Sequence, residues 1–175
     1  MRSKLLAIDP GPEESAYVVW SGQLHRFGKL PNADLLEHIR EGMGADCCCI
    51  EMIASYGMAV GKTVFETCVW IGRFMEAFGP ERCDRLTRNE IKNHLCHSSK
   101  AKDANIRQAL IDRLGEPGTK KAPGATYGVS KDVWAALAVA VTWWDKHADG
   151  AVVAHHATTD DAAPWTAGET KCLNL

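Results

Sequence analysis

The sequence LLAIDPG at residues 5–11 decides the fold of this chain, because it joins a short apolar run to an acid and a turn. The apolar residues predict a buried strand. Pro10 and Gly11 predict a turn that leads into a second strand near residues 15–20. Asp9 ends the first strand, where an apolar segment has no structural reason to carry a charge. Asp9 is therefore either a metal ligand or an acid that caps the turn through backbone amides.

A second acid ends another apolar run of strand length. Three consecutive cysteines and Ile50 predict a strand that ends in Glu51. If this strand and the first are parallel neighbours, Asp9 and Glu51 face each other and repel. A divalent cation would relieve that repulsion, and oxygen ligands favour Mg²⁺ or, in its place, Mn²⁺.

A third acid stands at the start of an apolar, alanine-rich helix predicted over residues 131–147. The helical period places Asp132 on the side that packs inward, together with Ala135, Ala136 and Val139. The alternative role for Asp132 is that of a first-turn acid that interacts favourably with the helix dipole.

The segments around these three acids resemble the RuvC family of Holliday-junction resolvases, which belongs to the ribonuclease H-like superfamily. The segments are residues 6–11, 49–51 and 132–140. Residues 86–92 and 100–106 also resemble the lysine-bearing region between the second and third acids of the family. The resemblance covers roughly residues 4–147, and the phage-type branch of the family is one candidate subgroup.

The predicted elements agree with the α/β fold that this resemblance implies: a ribonuclease H-like, central mixed five-stranded sheet with three antiparallel strands first and helices on both faces. The predicted strands lie near 4–9, 15–20, 23–29, 46–52 and 83–87, and the predicted helices near 32–43, 58–79, 88–96, 102–114 and 131–147. We expect one nuclease domain over residues 1–147 and a flexible C-terminal tail over residues 148–175.

The resemblance also implies a mechanism, which is metal-assisted hydrolysis of a phosphodiester. Asp9 would bridge two Mg²⁺ ions, while Glu51 and Asp132 would each hold one. Lys102 joins these three acids as a catalytic candidate, because one of the nearby lysines would stabilise the transition state.

The chain departs from the family pattern at two positions. Ala135 stands where the family usually carries a further metal ligand on the last helix, and Asp103 stands where many relatives carry a lysine. These departures favour an alternative in which the chain binds junctions but cleaves them weakly.

Basic charge is concentrated between the second and third acids, although the net charge of the chain is −2. Residues 82–131 contain 11 Lys and Arg but 5 Asp and Glu. This asymmetry indicates a surface that binds a phosphate backbone, or else the solvated face of an amphipathic helix near residues 105–114. The predicted DNA contacts are Tyr56, Lys62, Arg88, Lys92, Lys100, Lys102, Arg107, Lys120 and Lys121. Tyr56 would stack on a base or, equally well, pack as an ordinary aromatic.

The predicted helix 58–79 is apolar on more than one side. Such a helix is either enclosed within one subunit or shared with a partner. Because RuvC-like resolvases are dimers, the resemblance favours a homodimer formed through this helix.

The cysteines indicate a reducing compartment rather than a disulfide framework or a zinc site. The seven cysteines form no CxxC pair, and the spacing of His94, Cys96 and His97 fits no common zinc pattern. No secretory signal or membrane-length apolar run is present in the sequence. We therefore expect a cytoplasmic protein with no membrane partner.

Three functions remain after the sequence analysis. The first is a structure-selective DNA endonuclease that cuts Holliday or other branched junctions during DNA recombination and repair. The second is a ribonuclease H-like enzyme that acts on RNA–DNA hybrids or flaps. The third is a junction-binding protein with little catalysis. Activity on defined branched and linear substrates would separate them.

Overall fold

The computed structural model describes residues 3–55, 57 and 59–147, and the fold is built on a single five-stranded sheet. Its strands are β1 (Leu5–Asp9), β2 (Glu14–Trp20), β3 (Leu24–Pro31), β4 (Cys47–Met52) and β5 (Cys83–Thr87). Its α-helices are α1 (Asn32–Glu41), α2 (Lys62–Phe78), α3 (Arg88–Cys96), α4 (Asp103–Leu114) and α5 (Lys131–His147). The predicted tail 148–175 lies outside the described residues.

The strand order is β3-β2-β1-β4-β5. The first three strands pair antiparallel, whereas β1 pairs parallel with β4 and β4 pairs parallel with β5. This mixed sheet with helices on both faces confirms the predicted fold class.

The alternation of side chains along the strands divides the core between the two faces of the sheet. On one face, Ala7 and Cys49 pack with α5 and with residues of α3 and α4; we call this the α5 face. On the other face, Leu6 and Cys48 pack with α1 and α2. The consecutive residues Cys48 and Cys49 therefore lie on opposite faces of the sheet. Small residues along α5 allow it to contact β1 and β2 closely.

The helix predicted from residue 58 begins later, at Lys62. Gly61 precedes it as an N-cap in an extended conformation, and Gly57 has a φ of 80°. Glycine is among the least favourable residues inside a helix, so the apolar period around Val60 does not continue the helix backwards.

The segment between α4 and α5 forms a hydrogen-bonded hairpin. Gly118 and Pro123 form an antiparallel bridge, and the amide of Gly124 donates to the carbonyl of Pro117 at 2.8 Å. A Cβ on Gly118 would lie 2.3 Å from the carbonyl oxygen of Ala122, so the hairpin requires glycine there.

Within the described part of the chain, none of the helices combines the length and the apolar character needed to cross a lipid bilayer.

Candidate metal and nucleic-acid site

The pairing of β1 with β4 brings two of the predicted acids to the same edge of the sheet. Ile8 pairs with Ile50, so the residues that follow, Asp9 and Glu51, stand side by side at the carboxyl ends of parallel strands. Asp9 and Glu51 follow Ala7 and Cys49 by two positions, so the strand period places both acids on the α5 face. The third acid, Asp132, lies in the first turn of α5 and lines two clefts with Asp9.

Lys29 lies at the same level of the sheet as Asp9 but was not predicted as a site residue. Asp9 pairs with Ala16, which in turn pairs with Lys29 on β3. The Lys29 Nζ lies 2.9 Å from Asp132 Oδ2 and 2.9 Å from Glu14 Oε2. Hydrogen bonds to Glu14 and then to Asp132 raise the pKa of Lys29. Asp132 is therefore held by a cation of the chain itself.

Arg88 holds Glu51 in a similar way. Its Nη1 lies 3.1 Å from Glu51 Oε2, and its Nη2 lies 2.6 Å from Asp103 Oδ1. Arg88 is the first residue of α3, where Thr87 and Glu90 form a capping box that fixes the start of the helix. The arginine thus bridges an acid of the sheet and an acid of α4.

Asp9 differs from its two neighbours, because it takes part in no ion pair among the residues that the structure describes. Burial, and then the charge of Glu51, raise the pKa of Asp9 to about 7, although Arg88 opposes this shift. Burial also raises the pKa of Glu51, and this effect outweighs the opposing effect of Arg88. Ionised Asp9 is therefore a charge without a local counter-ion.

These residues fit a hard divalent cation by their chemistry, since the donors are carboxylate oxygens and Asp9 lacks a partner. Within the described ranges, no group of three His, Cys, Asp or Glu side chains already surrounds a single metal position. In this arrangement Arg88 and Lys29 form ion pairs with Glu51 and Asp132, respectively. The assignment of Asp9, Glu51 and Asp132 as metal ligands stays a prediction.

Two clefts meet at Asp9 and Asp132. The first has a volume of about 360 Å³ and is lined by the turn after Asp9 and by Lys29. The second has a volume of about 620 Å³ and is lined by Arg88, Asp103 and Arg107, among others. Its wall also contains four residues of α5, which are Lys131, Asp132, Trp134 and Ala135. Ala135 thus lines the cleft at the position where the resemblance implies a further metal ligand in the RuvC family.

The predicted DNA contacts divide into those at the cleft and those away from it. Arg88 and Arg107 line the larger cleft, and the Arg107 guanidinium carbon lies 5.3 Å from the centre of the Trp134 ring. Lys92 is near enough to Glu51 to oppose the rise in its pKa.

The other predicted contacts line neither cleft. They are Lys62, Lys100, Lys102, Lys120 and Lys121, and all are exposed. Lys62 pairs with Glu66 at 3.3 Å in the first turn of α2. Lys102 precedes α4, and its amide donates to Asn105 Oδ1 at 2.9 Å. Tyr56 lies outside the described residues.

Sequence reasoning missed Lys29 and Trp134 as residues of this site. The signal that could have identified Lys29 is its alignment with Asp9 across the sheet. Ala16 on β2 pairs with Asp9 on one side and with Lys29 on the other, and only its short side chain lies between them. That signal becomes readable only when the register of both strand pairs is known. Trp134 was within the segment that carries the resemblance, but its apolar neighbours indicated only packing.

Comparison with known proteins gave matches to solved structures. The "Thermus thermophilus RuvC structure" matches with a TM-score of 0.59 and 16% identity, over 83% of this chain and 96% of that chain. A second structure, "T. thermophilus RuvC in complex with Holliday junction substrate", has the same TM-score and identity, over 80% of this chain and 92% of that chain. No protein-family model matches the chain. No curated protein sequence matches it either. The fold of this chain is therefore RuvC-like, within the ribonuclease H-like class.

Proposed function

We propose that this protein is a metal-dependent endonuclease that hydrolyses DNA at Holliday or other branched junctions. The observation that carries the proposal is the partly buried carboxylate of Asp9, which forms no ion pair with any described residue and stands beside Glu51 where two clefts meet. The RuvC-like fold supports it, because one of the matching structures holds a Holliday junction substrate.

In this proposal Asp9, Glu51 and Asp132 hold the divalent ions, with Asp9 in the shared position. Bound Mg²⁺ or Mn²⁺ would supply a water of lowered pKa and would neutralise charge at the phosphate. The side chains of the chain then position the substrate. Arg88 and Arg107 lie on one wall of the larger cleft, where a guanidinium can bind phosphate oxygens in a bidentate manner.

The wider DNA surface would extend from this cleft along the basic segment 82–131. Its exposed lysines, Lys100, Lys102, Lys120 and Lys121, lie beyond the cleft and would contact phosphates further along the strands. Such contacts contribute affinity that depends on salt but not on sequence. The assignment of Lys102 to transition-state stabilisation remains a prediction.

We also propose that α2 forms a homodimer interface. Phe65 and Val69, one turn apart on α2, are 60% and 62% exposed, and Val60 is exposed beside the start of the helix. Exposed apolar side chains that follow one helix face favour a protein partner. A second copy would bury this face and would place two sites on two strands of one junction.

A second function, junction binding with little catalysis, is favoured by two observations. Ala135 contributes no carboxylate to the cleft, and the chain's own cations occupy Glu51 and Asp132. This alternative predicts tight binding of a junction in the absence of metal and no cleavage in its presence.

Cleavage of a labelled synthetic four-way junction tests the proposal. The protein is incubated with Mg²⁺ or Mn²⁺, and linear duplex and an RNA–DNA hybrid serve as competing substrates. Paired nicks on the junction alone, lost in Asp9→Asn, are expected. Preferred cleavage of the hybrid would establish the ribonuclease H-like alternative, and binding without cleavage would establish the junction-binding alternative.

The dimer is tested separately by light scattering after size exclusion. Phe65→Asp on α2 should produce monomers, because a charge would be buried in the interface. Ala125→Asp, an exposed position near the 118–123 hairpin, is the control and should remain dimeric. A monomeric wild-type protein would contradict the interface.

A further inference from the structure

We propose that Arg88 is an internal counter-ion that competes with the divalent metal for Glu51, and that it transfers to a DNA phosphate when substrate enters the cleft. The inference rests on the proposed function and adds regulation to it. Free protein would bind metal weakly, and the arrival of DNA would raise its metal affinity.

The first step in the argument is the geometry of the guanidinium. The two terminal nitrogens of Arg88 contact different carboxylates: Nη1 contacts Glu51 and Nη2 contacts Asp103. Neither carboxylate is therefore bound in a bidentate manner. The side chains of Arg88 and Glu51 are only 26% and 14% exposed. Solvent therefore screens this pair less than it screens a surface ion pair.

The second step concerns the charge that remains when Arg88 is removed. Asp9 and Glu51 are neighbouring, partly buried carboxylates at the ends of paired strands, and Arg88 Nη1 lies 3.1 Å from Glu51 Oε2. A dication and a guanidinium at the same carboxylate repel each other, so metal binding must displace or weaken the Arg88 contact. Without Arg88, Glu51 would lose its ion pair, and the affinity of the two neighbouring carboxylates for a dication should rise.

The third step is the place to which Arg88 can move. Arg88 and Arg107 line the same cleft as Asp9, which is where the proposal places the phosphate. The other partner of Arg88, Asp103, is an exposed acid at the start of α4 and also lines that cleft. A phosphate offers two oxygens in the geometry that a guanidinium prefers. Transfer from Glu51 to phosphate exchanges one anionic acceptor for another, so metal and DNA would promote each other's binding.

Lys29 is the natural comparison, since it also pairs with a predicted ligand. Its ion pair with Asp132 joins side chains that are 40% and 51% exposed, and Lys29 is shared with Glu14. Screening by solvent should make this pair a weaker competitor for metal than Arg88.

The test measures Mn²⁺ affinity of the full chain without DNA, by calorimetry or by the paramagnetic resonance of free Mn²⁺. Arg88→Gln should bind Mn²⁺ at least about fivefold more tightly than wild type, and Arg88→Lys should lie between them. Arg85→Gln removes the same charge from an exposed position of β5, and its Mn²⁺ affinity should match wild type within about twofold. Circular dichroism confirms that each variant is folded.

Junction affinity in EDTA supplies the second readout. Arg88→Gln should weaken it by about threefold to tenfold, because a phosphate contact is lost. Tighter metal binding together with weaker DNA binding is the expected signature, and a merely structural role for Arg88 would not raise metal affinity.

Unchanged or weaker Mn²⁺ binding by Arg88→Gln would overturn the inference. If Asp9→Asn nevertheless abolishes Mn²⁺ binding and cleavage, the proposed nuclease stands without this regulation. If no variant binds Mn²⁺, both the inference and the metal-dependent function fail.

Discussion

The two ends of α5 lie in different electrostatic environments, and the contrast is between Asp9 beside its first turn and Asp145 in its last turn. At the first turn, Asp132 lies beside the Asp9–Glu51 pair, where Asp9 has no ion-pair partner among the described residues. In the last turn, Asp145 accepts a hydrogen bond from His94 Nε2 at 2.7 Å and two more from the guanidinium of Arg113. α5 therefore begins beside Asp9, which forms no ion pair among the described residues, and ends at Asp145, which is hydrogen-bonded to His94 and Arg113.

The pKa values of Asp9 and Asp145 move in opposite directions. Although burial acts to raise it, the pKa of Asp145 is lowered by its hydrogen bonds to Arg113 and His94. Burial and neighbouring acids raise the pKa of Asp9 to about 7. Asp145 thus has positively charged partners that stabilise the structure, whereas Asp9 forms no ion pair among the described residues. An acid of the second kind is typical of a ligand-binding position.

Cleavage should show the largest difference between the two ends. Asp9→Asn should reduce the rate of junction cleavage by about a thousandfold or more, because loss of a metal ligand removes several kcal/mol of transition-state stabilisation. Asp145→Asn should leave the rate within about twofold of wild type. Single-turnover cleavage at saturating protein provides the measurement, and equal losses in both variants would remove the distinction between the two ends.

The same substitution, Asp9→Asn, should increase the stability of the fold when metal is absent, although it reduces cleavage. The folded state holds the Asp9 proton up to a pH of about 7, whereas the ordinary pKa is 3.8. Stability conferred by this group is therefore lost as the pH rises from about 4 to about 7. Asp9→Asn should be more stable than wild type in EDTA at pH 7.5, by roughly 1–3 kcal/mol, and similar to it near pH 4. Urea unfolding at both pH values measures the difference.

At the other end, Asp145→Asn should destabilise the fold by roughly 1–3 kcal/mol at pH 7, because charged hydrogen bonds to His94 and Arg113 are lost. The lowered pKa of Asp145 means that its contribution is present above the ordinary value of 3.8 and is lost as the pH falls below it. The difference between variant and wild type should therefore shrink in acid. A difference that persists unchanged below that pH would contradict the role of the ion pair.

The smallest change in stability should come from substitution of Trp143, which is also in the last part of α5. Trp143 Nε1 donates to Asp84 Oδ2 at 2.6 Å, and its ring stacks on His147 at 4.2 Å between centres. Trp143→Phe keeps an aromatic ring but removes the donor, so it should cost about 1 kcal/mol. Thermal unfolding measures this loss, and cleavage should be unaffected.

The local patterns of the sequence were sufficient to predict the five strands and their helices. Asp9, Glu51 and Asp132 were found because each interrupts an apolar segment, and the sheet register brings the first two together as predicted. Their assignment as ligands remains to be tested.

Contacts between distant segments were beyond the reach of those patterns. Arg88 was predicted as a DNA contact, but its bridge between Glu51 and Asp103 depends on how α3 and α4 pack. The late start of α2 was also not predicted. Val60 continues the helical spacing of apolar residues towards the N-terminus, whereas the helix begins only after Gly61.

The order of the elements along the chain has a consequence for synthesis. β1 is made first and α5 last among the described elements, yet α5 covers the face of β1 and β2 and carries the third acid. A ribosome must release the whole of this region before Asp9 and Asp132 can meet, and such distant contacts form slowly. An incomplete chain would expose apolar strands to proteases before it could acquire a complete set of acids. The topology would therefore delay the assembly of Asp9 with Asp132 until translation has passed α5.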